Sequence, residues 1–196
     1  MRLFIAAPLA PEIREALCTN LTRVRAGLSR MPIKWVPPEN LHLTFRFLGE
    51  TPQSDVDALT KRLRGVCLSW APIEVRVAGL GCFPAPSAPK VIWVGLQSAP
   101  RLLNLHDAIQ KATAEFGVRE KPGFAVRRTP FTPHLTVGRV KDVSAAERRE
   151  LGRELSRQTL GDVGGWRIER VTLMESELSA AGSRYRELAG IPLLSQ

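Results

Sequence analysis

Two short stretches of this chain pair an imidazole with a hydroxyl: His42-Leu43-Thr44-Phe45 and His134-Leu135-Thr136-Val137. The tetrads begin at positions 42 and 134, 92 residues apart in a chain of 196, which is close to half its length. Only three histidines are present, and two of them sit here. Side chains alternate faces along a β-strand, so in each tetrad His and Thr point one way and the two apolar residues the other. Each tetrad therefore offers an imidazole and a hydroxyl to a cleft while its apolar partners anchor the strand in a core. Two imidazoles facing across one groove can serve as general base and general acid in a single turnover. Their ordinary pKa near 6.5 lets one be neutral while the other is protonated near neutral pH. Threonine hydroxyls can donate to the non-bridging oxygens of a phosphate held between them. Phosphoryl chemistry asks a protein mainly for such positioning and charge stabilisation.

Other chemistries fit less well. Neither tetrad has an Asp or Glu on its cleft face, so no catalytic metal and no cofactor is expected. No Gly-x-Ser-x-Gly elbow is present for a serine hydrolase. Cys18, Cys67 and Cys82 are odd in number, lack C-x-x-C spacing and sit in apolar surroundings, which reads as free thiols rather than a nucleophile. The net charge of +9, carried mostly by arginine, suits a polyanion such as RNA and equally suits a solvated arginine-rich face. No apolar run approaches the ~20 residues that span a bilayer. The opening Met1–Pro8 reads as a buried strand rather than a signal peptide, so the expected location is the cytoplasm.

The elements that must position the tetrads can be read in order. Arg2–Ala7 is a strand, and Ile13, Leu17, Leu21, Val24 and Leu28 give a helical stripe between Pro8 and about Leu28. Pro32–Val36 is a short strand, and Pro37–Asn40 delivers the chain into the first tetrad strand, Leu41–Leu48. Strict alternation there puts His42, Thr44, Arg46 and Leu48 on the cleft face and Leu43, Phe45 and Phe47 on the other, with Arg46 near the cleft floor or reaching solvent. Ser54 is an expected N-cap for a helix to Cys67. Ile73–Phe83 and Lys90–Leu96 form a hairpin around a proline-rich turn. A helix follows over Pro100–Phe116, its His106 flanking the apolar stripe as a structural or surface residue. Phe124–Pro133, a basic stretch with Arg127-Arg128-Thr129, leads into the second tetrad strand. Ser144 caps the next helix, to about Gln158, before strands Trp166–Met174 and Tyr185–Leu188, with a turn at 179–183.

After each tetrad the order is helix, strand, turn, strand. This repeat in topology implies two lobes related by a pseudo-twofold axis, with the two tetrads facing each other across one groove.

The two tetrads, the opening Arg2–Ala6, Trp35–Phe45, Val91–Gly95 and Phe131–Arg139 resemble the two-histidine (2H) phosphoesterases. Within them the likeness is to the bacterial and archaeal RNA 2′,3′-cyclic phosphodiesterases, historically called 2′-5′ RNA ligases, and it runs over essentially the whole chain. That resemblance implies an α+β, bilobal pseudo-twofold fold over residues 1–196 as one domain, two antiparallel sheets lining a central groove with helices packed outside. It implies metal-free hydrolysis of a 2′,3′-cyclic phosphate at an RNA end, or of a small cyclic nucleotide, to a 2′-phosphomonoester. His42 would be the proton donor and His134 the proton acceptor, although the residues alone leave the two interchangeable. Thr44, Thr136 and Arg139 would hold the phosphate. Strict alternation turns Arg139 away from His134, and a bulge at Gly138 would re-aim it. Phe131, Phe45 and Trp35 are candidates for base stacking or for core packing. A 2′-5′ RNA ligase running the same chemistry backwards and a non-catalytic RNA-end or nucleotide binder are the alternatives, and a monomer is the default.

Overall fold

The computed structural model describes residues 1–98, 100–117, 130–179 and 182–194. Arg127, Arg128 and Thr129 of the basic stretch lie outside the described residues. Among the described residues nine strands form one antiparallel sheet: β1 (Arg2–Pro8), β2 (Ile33–Trp35), β3 (His42–Glu50), β4 (Ile73–Phe83), β5 (Val91–Ser98), β6 (His134–Val140), β7 (Gly164–Ile168), β8 (Arg170–Ser179) and β9 (Gly182–Pro192). Their order is β7-β4-β5-β6-β3-β1-β8-β9, with β2 added to β6. The sheet has two halves, and each carries one tetrad strand at its inner edge. The halves meet where β3 and β6 pair at Leu43–Leu135, the residue after each histidine.

The two parts of the sequence exchange hairpins. The β4–β5 hairpin that follows the first tetrad docks on β6 of the second, whereas β8 and β9 extend the sheet beyond β1 and β3. The expected pseudo-twofold arrangement is thus present as a swapped one. In place of two separate sheets, a single continuous sheet crosses the axis.

Four α-helices among the described residues cover the outer face: α1 (Pro11–Gly27), α2 (Val56–Cys67), α3 (Pro100–Ala112) and α4 (Ala145–Ser156). Each buries a stripe at three- and four-residue spacing: Leu17, Leu21 and Val24 in α1; Leu59, Leu63 and Cys67 in α2; Leu102, Leu105 and Ile109 in α3; Leu151 and Leu155 in α4. They pack on Leu3, Ile5, Ala7, Leu43, Leu135, Val137 and Ile92, the apolar side of the tetrad strands and their neighbours. Burying one such side chain is worth about 1.5–3 kcal/mol. Ser144 closes a full capping box with Glu147, as its sequence position predicts. Ser54 does not cap α2; it lies in a 3₁₀ turn over Gln53–Asp55, and Asp55 takes the N-cap position without a side-chain bond. The strand read as Trp166–Met174 is broken at Glu169 into β7 and β8, and the last strand runs well beyond Tyr185–Leu188.

Candidate active site

Leu43 and Leu135 face the core at 1% and 0% exposure, so the residues on either side of them turn into the groove. His42 and Thr44 thus flank one member of the single pair that joins β3 to β6, and His134 and Thr136 flank the other.

Each ring is held the same way. His42 Nδ1 lies 2.8 Å from the carbonyl of Asn40, and His134 Nδ1 lies 2.7 Å from the carbonyl of Thr132. A carbonyl only accepts, so Nδ1 carries the proton in both rings and Nε2 is the atom left for chemistry. Asn40 is itself fixed by donating from Nδ2 to the Ser183 carbonyl at 3.0 Å. Aromatic rings flank each imidazole: Phe4 and Tyr185 at 5.0 and 5.3 Å from His42, and Phe83 and Trp93 at 5.0 and 6.3 Å from His134.

Burial pushes the His42 imidazole down to about 4. The Nδ1 bond to Asn40 opposes this, while the charges of Arg139 and His134 add to it. Both belong to β6, the strand next to β3 in the sheet.

A bulge explains how Arg139 comes to the groove side. Ile92 pairs with Gly138 and Trp93 with Thr136, leaving Val137 without a partner on β5. Val137 and Gly138 both turn inward, fully buried in the case of Val137, and Arg139 swings back to the groove side and is exposed. The same irregularity occurs at the same place in the first tetrad strand. Ile5 pairs with Arg46 and Ala6 with Thr44, leaving Phe45 unpaired. A second shift leaves Leu48 unpaired.

These bulges correct the strict alternation expected of Leu41–Leu48. Arg46 is not on the cleft floor: it reaches the end of α3, donating to Thr113 Oγ1 at 2.7 Å and to the Phe116 carbonyl at 3.2 Å. Leu48 is buried at 2%, and Phe47, expected in the core, is 69% exposed. Phe45 is 3% exposed and offers no face to a base, which removes it as a stacking residue. Trp35 lies over Gly138 with the Arg25 guanidinium 5.3 Å from its ring, on the helix side of the sheet. Phe131 stacks on His106 at 3.8 Å and 7°, so one face is already covered. Cys18, Cys67 and Cys82 are all free, and burial pushes the Cys67 thiol up to about 12, far from a thiolate at neutral pH. Among the described residues no three His, Cys, Asp or Glu side chains converge as metal ligands, and no helix is long and apolar enough to cross a membrane.

Sequence reasoning missed Phe4, Tyr185, Phe83 and Trp93 as walls of the site. They come from neighbouring strands and carry no spacing signal relative to the histidines.

Residues 12–180 match the 2′-5′ RNA ligase superfamily. The RNA 2′,3′-cyclic phosphodiesterase of Archaeoglobus fulgidus is 32% identical over 188 residues, covering 96% of this chain and 98% of that protein. The crystal structure of TT0787 of Thermus thermophilus superimposes with a TM-score of 0.78 at 30% identity over 98% of both chains. That of E. coli LigT complexed with 3′-AMP does so with a TM-score of 0.74 at 25% identity, over 99% of this chain and 98% of LigT. Matched by the family model over residues 12–180 and by a relative 32% identical over 96% of its length, the chain belongs to the 2′-5′ RNA ligase superfamily.

Proposed function

We propose that the protein hydrolyses RNA 2′,3′-cyclic phosphodiester ends to 2′-phosphomonoesters without a metal, within a single domain of two packed lobes. The observation that carries this is the pair of imidazoles anchored through Nδ1 to backbone carbonyls, which leaves Nε2 of each for chemistry, on strands that also carry Thr44, Thr136 and Arg139. Curated relatives named RNA 2′,3′-cyclic phosphodiesterase, matching nearly the whole chain, support the substrate class. LigT, solved in complex with 3′-AMP, supports a nucleotide ligand.

In this reading Thr44, Thr136 and Arg139 hold the non-bridging oxygens of the cyclic phosphate. Water attacks phosphorus and gives its proton to Nε2 of His134. The P–O3′ bond breaks and O3′ takes a proton from Nε2 of His42, leaving a 2′-phosphate and a free 3′-hydroxyl. His42 needs its proton for this, and the bound phosphodiester anion supplies the countercharge that offsets Arg139 and raises its proton affinity. The low value of His42 in the free protein also favours a second reading, in which neutral His42 takes the water proton and His134 protonates O3′.

The test is product analysis on an oligonucleotide with a 2′,3′-cyclic end, in EDTA. The expected product is the 2′-phosphate at an undiminished rate. Loss of turnover in chelator, or a 3′-phosphate product, overturns the proposal.

A further inference from the structure

β3 and β6 carry one groove imidazole each, yet they share a single backbone pair, Leu43–Leu135. β6 is otherwise held by β5 and β2, and β3 by β1. One pair joins the two strands but does little to fix the angle between them. Keeping both rings in mutual register calls for a second tie, and side chains of α3 supply one.

His106 stands on α3 with its ring stacked on Phe131 at 3.8 Å and 7°. Its Nδ1 lies 3.0 Å from the carboxylate of Asp107. A carboxylate accepts, so Nδ1 donates and Nε2 is left to accept. The Gln110 amide nitrogen, one turn further on, lies 3.2 Å from that Nε2. The same nitrogen donates to the Phe45 carbonyl at 3.0 Å, so its two hydrogens serve both partners. Phe45 follows Thr44, at the bulge where β3 loses its pairing with β1. Arg46 ties the next residue to the end of the same helix, through Thr113 Oγ1 and the Phe116 carbonyl. The helix is thus fixed to β3 on one side and offers the flat face of His106 to Phe131 on the other.

We propose that His106 is a positioning residue for His134. Support runs from the Phe45 carbonyl through Gln110 and the His106 ring to Phe131. The next residue, Thr132, gives the carbonyl that holds His134 Nδ1 at 2.7 Å. His42 is supported separately, because the Asn40 whose carbonyl holds it is tied by its own side chain to Ser183. Thr132 has no comparable tie among the described residues: its hydroxyl reaches the Pro130 carbonyl, at 3.5 Å and within its own segment. The Leu96 amide donates to the Pro133 carbonyl at 3.1 Å and fixes the chain after Thr132. The stack on His106 fixes it before. The inference rests on the hydrolytic reading only for its effect on rate.

Two measurements test it. In nitrogen–proton spectra of the free protein, well above the ordinary imidazole pKa near 6.5, His42 and His134 both show the Nδ1–H tautomer. His106→Ala leaves His42 in that form and turns His134 into a mixture of tautomers. An unchanged His134 overturns the inference, and so does equal disturbance of both rings, which is loosening of the whole fold. On adenosine 2′,3′-cyclic phosphate, His106→Ala lowers kcat roughly ten- to a hundred-fold, the scale of a misplaced catalytic group, and leaves KM within about twofold of wild type. Phe131→Ala gives a similar loss, and the double variant loses no more than the worse single, as coupled neighbours do. His106→Phe keeps a flat ring over Phe131 and returns kcat to near wild type. Wild-type kcat in His106→Ala, a change in KM alone, losses that multiply in the double variant, or no recovery in His106→Phe each overturn the proposal. A wild type without turnover whose His134 tautomer still depends on His106 defeats the hydrolytic reading and leaves the positioning role standing.

Discussion

Acid sensitivity of folding is set in part by His42, and the size of the effect follows from its surroundings. The imidazole titrates near 6.5 when unfolded and near 4 in the folded protein, chiefly because it is buried. Its folded pKa is lowered, so the unfolded chain binds the extra proton as pH falls between those values. The stability present above pH 6.5 is lost progressively toward pH 4. A displacement of about 2.5 units at 1.36 kcal/mol per unit gives roughly 3 kcal/mol between pH 7 and pH 4. Other groups titrate in the same window, so the comparison is with His42→Asn, which cannot gain the proton. Urea unfolding of both proteins at pH 7 and pH 4 isolates the contribution: wild type loses about 3 kcal/mol more than the variant. Equal losses would show that His42 is not buried beside Arg139 as described.

Other expectations address roles and packing. A substrate with sulfur in place of the leaving 3′ oxygen needs no proton from the enzyme, so it rescues the variant lacking the acid. His42→Ala recovers on that substrate and His134→Ala does not; the reverse pattern establishes the exchanged assignment. In α4, a Cβ at Gly152 would run into the Pro86 carbonyl. Gly152→Ala therefore destabilises by about 1–3 kcal/mol despite alanine's better helix propensity, measured as a lower urea midpoint. A raised midpoint would show that the Pro84–Pro89 turn gives way freely.

The paired tetrads, their cleft-facing His and Thr, the four helices and the Ser144 cap were all legible in the sequence, because each depends on local periodicity. The duplication also made the meeting of the two strands legible, and the Arg139 bulge could be argued from Gly138. The matching bulge in β3 could not. Phe45 and Arg46 look like regular strand residues, and only their pairing with β1 shows both turning inward. That one slip misplaced Arg46, Phe47 and Leu48 together, since shifting a strand by one residue flips every later side chain. The aromatic walls were hidden for a different reason: Phe4, Tyr185, Phe83 and Trp93 reach the histidines through long-range strand order.

The central claim is that His42 and His134 act as one unit on one phosphate. Rates for His42→Ala, His134→Ala and the double variant on a 2′,3′-cyclic-ended oligonucleotide test it most directly. Each single variant should lose at least ~100-fold, and the double should lose little more than the worse single, as residues acting together do. A single variant with near-wild-type turnover, or losses that multiply in the double, would contradict it.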